Sequence, residues 1–293
     1  MITLFQEFQH IIKENEPLSS HSTMRVGGPA ALAAFPTNRL ELCALIQKAK
    51  IHNIRHIIVG NASNILFSDR GFDGLAIFTT AMRNVTWNGN IAIADCGASL
   101  TGLAAAATKR GLSGFEFAFG IPGTIGGAVY MNAGAYGSQI SAVLTSSEYL
   151  KNGKIFIRNA EEHKFGYRTS IYRSTDDIIL SAEFTLTPGD SETIAAKAKQ
   201  NMDSRRSKQP LEYPNAGSVF KRPEDAFPGA LIEQAGLKGL RIGGAEFSEK
   251  HANFIVNRGG ATADDILRLT ETAQKTVYKQ FGILLETEII YIS

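Results

Sequence analysis

Between residues 120 and 137 the chain places glycine at 120, 123, 126, 127, 134 and 137, in the segments Gly120-Ile121-Pro122-Gly123-Thr124-Ile125-Gly126-Gly127-Ala128 and Asn132-Ala133-Gly134-Ala135-Tyr136-Gly137. Glycine loses more conformational entropy on folding than any other residue. Such a cluster therefore implies a backbone that bends through unusual dihedrals or lies directly against a ligand. Phosphate is the usual ligand, because bare main-chain N–H groups can converge on it. Tight turns that touch nothing fit the glycines alone equally well.

A second cluster shifts that balance. Gly60-Asn61-Ala62-Ser63-Asn64 follows Arg55-His56-Ile57-Ile58-Val59, a short apolar run that reads as a buried strand. Small polar residues after a strand make a loop of N–H donors, although Asn and Ser also build ordinary turns. Two such loops suit a ligand with two phosphates. Neither matches a P-loop, and no Gly-x-Gly-x-x-Gly follows a strand, which argues against a Rossmann or kinase fold.

With 293 residues, 44% hydrophobic and 20% charged, the chain is long enough for two or three compact units. No apolar run approaches the roughly 18 residues of a membrane span. The first sixteen residues mix Glu7, Lys13, Glu14 and Glu16 with apolar ones, unlike a signal peptide. These features predict a cytoplasmic protein without a membrane partner. A formal charge of +2 is too mild for a nucleic-acid binder. Cys43 and Cys96 read as buried free thiols, and the six histidines suggest no zinc ligand set, so no metal is expected.

Periodicity predicts helices over 37–51, 100–109, 191–208, 228–235 and 262–281. Strands are predicted over 57–59, 75–78, 91–94, 146–150, 154–158, 178–186 and 283–292. Proline and charge concentrate between Arg205 and Pro228, where one unit gives way to another.

Three places can carry chemistry. Glu286 and Glu288 are two apart in the predicted last strand, so alternation puts both carboxylates on one face; one is expected in a salt bridge, the other is a catalytic candidate. Arg168 lies in Phe165-Gly166-Tyr167-Arg168-Thr169-Ser170, where its guanidinium can fork onto a carboxylate or enolate oxygen, or form a structural ion pair with aromatic stacking. Ser218, in Tyr213-Pro214-Asn215-Ala216-Gly217-Ser218-Val219-Phe220-Lys221, is displayed after a glycine but lacks the Gly-x-Ser-x-Gly frame; alone it reads as a cap.

In this order the motifs closely resemble the UDP-N-acetylenolpyruvoylglucosamine reductase (MurB) family, in its compact second type. The resemblance runs from Ser22-Thr23-Met24-Arg25-Val26-Gly27-Gly28 through both glycine loops, Tyr167-Arg168-Thr169-Ser170, Lys208-Gln209-Pro210, Asn215-Ala216-Gly217-Ser218 and Ala235-Gly236-Leu237-Lys238-Gly239. It continues through Ser248-Glu249-Lys250-His251-Ala252-Asn253-Phe254 to Leu285-Glu286-Thr287-Glu288. Ala62 stands where the family often has glycine.

The resemblance implies an α+β protein: an FAD-binding fold like that of the vanillyl-alcohol-oxidase-like (PCMH-type) flavoproteins, plus a separate α+β substrate-binding domain. It implies a division into 1–80 (completed by the strand 283–293), 81–203, and a substrate domain over 204–282. FAD and NADPH are the implied cofactors, a UDP-sugar enolpyruvyl ether the substrate, and peptidoglycan synthesis the setting, with the protein a monomer. Arg168, Ser218 and Glu288 would be catalytic. Gly60, Asn61, Ala62, Ser63 and Asn64, with Gly120, Ile121, Pro122, Gly123, Thr124, Gly126, Gly127 and Ala128, would bind FAD. Tyr136, Tyr167, Asn215, Lys221 and Lys238 would bind substrate. Glu286 takes the structural role. A flavin oxidase of the same fold, or a non-catalytic nucleotide-binding module without the Arg168, Ser218 and Glu288 set, are the rival readings.

Overall fold

Short strands, several joined by two-residue turns that contain glycine, give the chain its sheets. The computed structural model describes residues 1–293. It divides into two compact units, one formed by Met1–Glu14, Leu32–Asn61 and Gly74–Arg205, the other by Asn15–Ala31, Ala62–Asp73 and Arg206–Ser293.

In the first unit an antiparallel five-stranded sheet has the order Lys154–Asn159, Leu144–Lys151, Ile178–Thr185, Ile91–Asp95, Val85–Asn88. Its first hairpin pairs Lys151 with Lys154. The intervening Asn152 and Gly153 both take positive φ, at 49° and 76°, as the two corners of a type I′ turn must. The strand expected over 57–59 forms as His56–Val59 and pairs in parallel with Leu75 to Phe78. Helices Arg39–Ile51, Leu100–Lys109 and Ile125–Met131 belong to this unit and begin at side-chain caps Asn38, Ser99 and Thr124, and helix Ser191–Lys208 belongs to it as far as residue 205. Leu42, Leu45, Ile77, Leu103, Phe115 and Phe184 meet in its core, with Phe115 edge-on to Phe184 at 5.1 Å.

The second unit contains an antiparallel sheet in the order Asn215–Ser218, Phe254–Asn257, Ala245–Phe247, Arg241–Ile242. Sequence periodicity missed all four of these strands, because they span only two to four residues. Helix Ala263–Phe281 contributes Leu269 and Val277 to a core shared with Phe220, Ile232, Phe247 and Ile255. Its start is closed by a Thr262/Asp265 capping box, and Asp69 accepts the amides of Ala263 and Asp264 at 2.8 and 3.0 Å. No helix in the chain is long and apolar enough to cross a membrane.

The expected last strand is a correction. Only Ile290–Ile292 forms a ladder, in parallel with Ile65–Phe67, and Thr287 makes an isolated bridge to Phe220. Helix Ala263–Phe281 ends at Gly282 with φ of 70°; Leu285 then turns into the core, its carbonyl held by Gln274 Nε2 at 2.9 Å. Before Ile290 the segment pairs only around Thr287, where Glu288 N donates to Val219 O and Lys221 N to Glu286 O, and not along a continuous ladder.

Candidate active site

The first unit brings the two glycine loops together at Gly60. A Cβ there would overlap the hydroxyl of Thr124, which is itself buried. Asn61 Nδ2 donates to Pro122 O at 2.7 Å. Gly126 lies against Cys96, where a Cβ would come within 3.0 Å of the Cys96 Cβ, and Gly126 N donates to Cys96 O at 2.7 Å. Burial pushes the Cys96 thiol up to about 12, which leaves it an inert packing group. At Gly120 a Cβ would stand 2.7 Å from Cδ of Arg205, whose guanidinium burial draws below its ordinary pKa while Tyr136 opposes. Arg205 carried no signal in the sequence. A loop pair this close, lined by main chain, fits the diphosphate of a dinucleotide better than a set of unconnected turns.

Arg168 sits in the same unit, on a turn. Gly166 N donates to Thr169 O and Thr169 N to Gly166 O, at 3.1 and 3.3 Å, so Tyr167 and Arg168 form the corners. Arg168 has φ of 55°, a left-handed conformation that costs a non-glycine residue about 1 kcal/mol. Contacts on all sides hold it there. Arg168 Nη2 donates to Gly134 O at 3.1 Å, Asn132 Nδ2 to Gly166 O at 3.0 Å, and Arg173 Nη1 to Arg168 O at 2.9 Å. Gly134 belongs to the second part of the glycine segment, and Tyr136, with φ of 53°, is the exposed tip of the short hairpin that follows.

Beneath the turn lies a polar cluster that sequence reasoning passed over. His163 is fully buried, and its Nδ1 meets the Asn159 carbonyl at 2.8 Å. A carbonyl only accepts, so Nδ1 donates; Nε2 then accepts from Ser147 Oγ at 2.7 Å, and Ser147 accepts from the Tyr172 hydroxyl at 2.6 Å. Desolvation holds His163 below its ordinary pKa, consistent with this neutral ring. Phe165 stacks on His163 at 5.0 Å, and Arg158 lies over Tyr149 and Tyr172 while pairing with buried Asp177 at 2.8 Å.

The second unit holds Ser218 and Glu288. Asn215 pairs with Val256 and Ser218 with Phe254, so the strand carries one extra residue, and Gly217 absorbs the bulge with φ of 77°. Asn215 ties the turn, donating to Tyr213 O at 2.8 Å and accepting from Gly217 N at 3.0 Å. Within this unit the half-buried Ser218 hydroxyl has no hydrogen-bond partner. Glu288 N donates to Val219 O at 2.8 Å, and Asn64 Nδ2 donates to Glu288 O at 3.0 Å. Ala62 takes φ of 46°, the conformation that glycine would adopt without strain. Glu286 is exposed and pairs with Lys221; Lys238 pairs with Glu233 at 2.8 Å. No three His, Cys, Asp or Glu residues gather so as to hold a metal.

A family model for an FAD-binding domain matches residues 30–156, a span that includes both glycine loops. The fold and its loops therefore define an α+β flavin-binding protein. A second model, for the C-terminal domain of UDP-N-acetylenolpyruvoylglucosamine reductase, matches residues 209–292. The reductase of that name from Pediococcus pentosaceus is 48% identical over 286 residues, covering 97% of this chain and 95% of its own. That from Lactobacillus johnsonii is 50% identical over 281 residues, covering 95% and 93%. The crystal structure of MurB from Thermus caldophilus superposes with a TM-score of 0.82 at 32% identity, covering 94% of this chain and 97% of that one. The chain belongs to the UDP-N-acetylenolpyruvoylglucosamine reductase family.

Proposed function

We propose that this chain is a UDP-N-acetylmuramate dehydrogenase, reducing the enolpyruvyl group of UDP-N-acetylglucosamine enolpyruvate to the lactyl ether with NADPH, as a cytoplasmic monomer. FAD, when bound, would supply the hydride chemistry that links NADPH to the vinyl carbon of the enolpyruvyl group. Gly60, Asn61, Ala62, Ser63 and Asn64, with the 120–128 loop, orient its diphosphate. Residues 1–80 with 283–293, and 81–203, serve the flavin; 204–282 serves the substrate.

The protein's own groups manage charge and proton. Addition to a double bond conjugated with a carboxylate builds enolate charge, and Arg168, fixed on its turn, supplies the compensating cation. Ser218 delivers a proton to the neighbouring carbon, which is basic enough to accept from a hydroxyl. Glu288 in its acid form holds the substrate carboxylate, while Tyr136, Tyr167, Asn215, Lys221 and Lys238 orient the UDP-sugar.

The presentation of Ser218 supports this reading most directly. A bulge at Gly217 lifts the serine, and the adjoining Val219 carbonyl takes the amide of Glu288. A module that merely bound nucleotide would have no use for that pairing. The purified protein is expected to be yellow and to lose its flavin absorption under NADPH. Ser218→Ala should leave that reduction intact and slow reoxidation by the enolpyruvyl substrate roughly a hundredfold or more. Unchanged reoxidation would remove Ser218 from the mechanism; a colourless protein that takes up no FAD would favour the non-catalytic module.

A further inference from the structure

Asn253 spends three of its polar groups on the two residues that follow Ser218. Its main-chain carbonyl accepts from Val219 N at 2.8 Å, its Oδ1 accepts from Phe220 N at 3.0 Å, and its Nδ2 donates to Phe220 O at 2.9 Å. The side-chain amide thus acts as a substitute peptide group, closing a two-bond ring on Phe220. Only Asn, with donor and acceptor on a fork this short, meets both atoms; Asp lacks the donor and Gln is a methylene longer. Asn253 is 5% exposed and Phe220 1%, so neither bond has water to replace it.

What the clamp holds is a junction. Val219 O accepts from Glu288 N at 2.8 Å, Phe220 bridges Thr287, and Lys221 N donates to Glu286 O at 2.9 Å. Residues 219–221 are therefore the strip from which both the serine and the glutamate hang. Asn253 is itself set by its neighbours: its N–H donates to His251 Nδ1 at 3.2 Å, and Ser248 Oγ accepts from Lys250 N and His251 N at 3.1 and 3.4 Å.

We propose that Asn253 is a positioning residue for the proton-delivering step, fixing Ser218 and Glu288 through the main chain of Val219 and Phe220 without touching the substrate. The proposal rests on the assignment of Ser218 as the acid. Misplacing a reacting group by about 1 Å can cost on the order of a hundredfold, so loss of the clamp acts on reoxidation and spares reduction.

The test compares Asn253→Ala and Asn253→Asp with Ser218→Ala and with the double variants, all as FAD-loaded protein. Flavin reduction by NADPH should stay within about twofold, and reoxidation should slow roughly tenfold to a hundredfold. In the Ser218→Ala background the same change should cost clearly less than it does alone, because its effect through Ser218 is already lost and only that through Glu288 remains. Amide hydrogen exchange should accelerate at 218–221 and 286–288 while the rest of the protein keeps its protection. Should Asn253→Ala fail to fold, Asn253→Asp, which keeps the acceptor and the volume, decides. Equal slowing of both half-reactions, full multiplication with Ser218→Ala, or exchange raised throughout the chain would overturn the proposal. A normal Ser218→Ala enzyme would overturn the acid assignment and the clamp's purpose with it. A slow Ser218→Ala enzyme beside normal Asn253 variants would overturn the clamp alone.

Discussion

Arg168 and Ser218 are held by opposite means. Ser218 ends a strand, and the residues after it are fastened by main-chain bonds and one side-chain amide. Arg168 stands on a turn whose own main chain closes only on itself, between Gly166 and Thr169. Side chains must supply what a ladder supplies elsewhere: His163 and Tyr172 anchor the two stems from a buried site, and Ser170 Oγ donates to Tyr130 O at 2.8 Å. The difference teaches where each half is vulnerable. Bonds between peptide groups do not titrate, so the serine's half depends on geometry; the arginine's half depends on charge state as well.

The sharpest way to break the comparison is at Asp177. It and Arg158 are each 8% exposed, and Arg158 Nη2 meets Asp177 Oδ2 at 2.8 Å beneath the Tyr172 stem. Replacing such a pair with apolar residues can be neutral, but removing one partner strands a buried charge and costs about 3–5 kcal/mol. Asp177→Ala should therefore lower urea-unfolding stability by that much, with Arg158→Met/Asp177→Leu recovering most of it. A loss below about 1 kcal/mol would show that the cluster does not brace the turn's stem.

A smaller effect follows from His163. Desolvation holds its pKa below the ordinary 6.5, with the Arg158 charge assisting and the Asn159 main chain opposing. Protonation thus favours the unfolded chain, so the histidine's contribution is complete above the unfolded value and is lost as pH falls from about 6.5 toward the folded one. One proton gives at most about 1.4 kcal/mol per pH unit. His251, also lowered by desolvation, adds to the same acid limb. His163→Gln should flatten the limb measured by denaturation between pH 7 and 5 without abolishing it. An unaltered slope would mean that His163 stays neutral in both states.

These clusters also mark the limit of what the residues disclose in order. The α+β class, the long helices, the five-stranded sheet's main strands and the two glycine loops were legible, because each is a periodic run or a local concentration of one residue type. Asn253 and His163 were not. Asn253 follows Lys250-His251-Ala252 and His163 lies between Glu162 and Lys164, and only burial, which the fold creates, turns each into a bonded group. The terminal segment erred for a related reason: Ile283 to Ile292 has strand composition, but Leu285 is claimed by the core, and composition does not say which backbone groups have a partner.

That segment carries the last and smallest expected effect. Glu286 and Glu288 differ in placement more than in sequence. The Glu286 side chain is 71% exposed and its carboxylate meets Lys221, whereas Glu288 is half-buried and fixed at both its amide and its carbonyl, by Val219 O and Asn64 Nδ2. An exposed pair contributes about 0–1 kcal/mol, because water solvates both charges nearly as well as they solvate each other. Glu286→Gln should accordingly change stability by less than about 0.5 kcal/mol and leave reoxidation by the enolpyruvyl substrate within about twofold, whereas Glu288→Gln should slow it tenfold or more. If the two variants exchanged these outcomes, the structural and catalytic roles of the two carboxylates would have to be exchanged as well, and the tether from Asn64 to Glu288 would lose its functional reading.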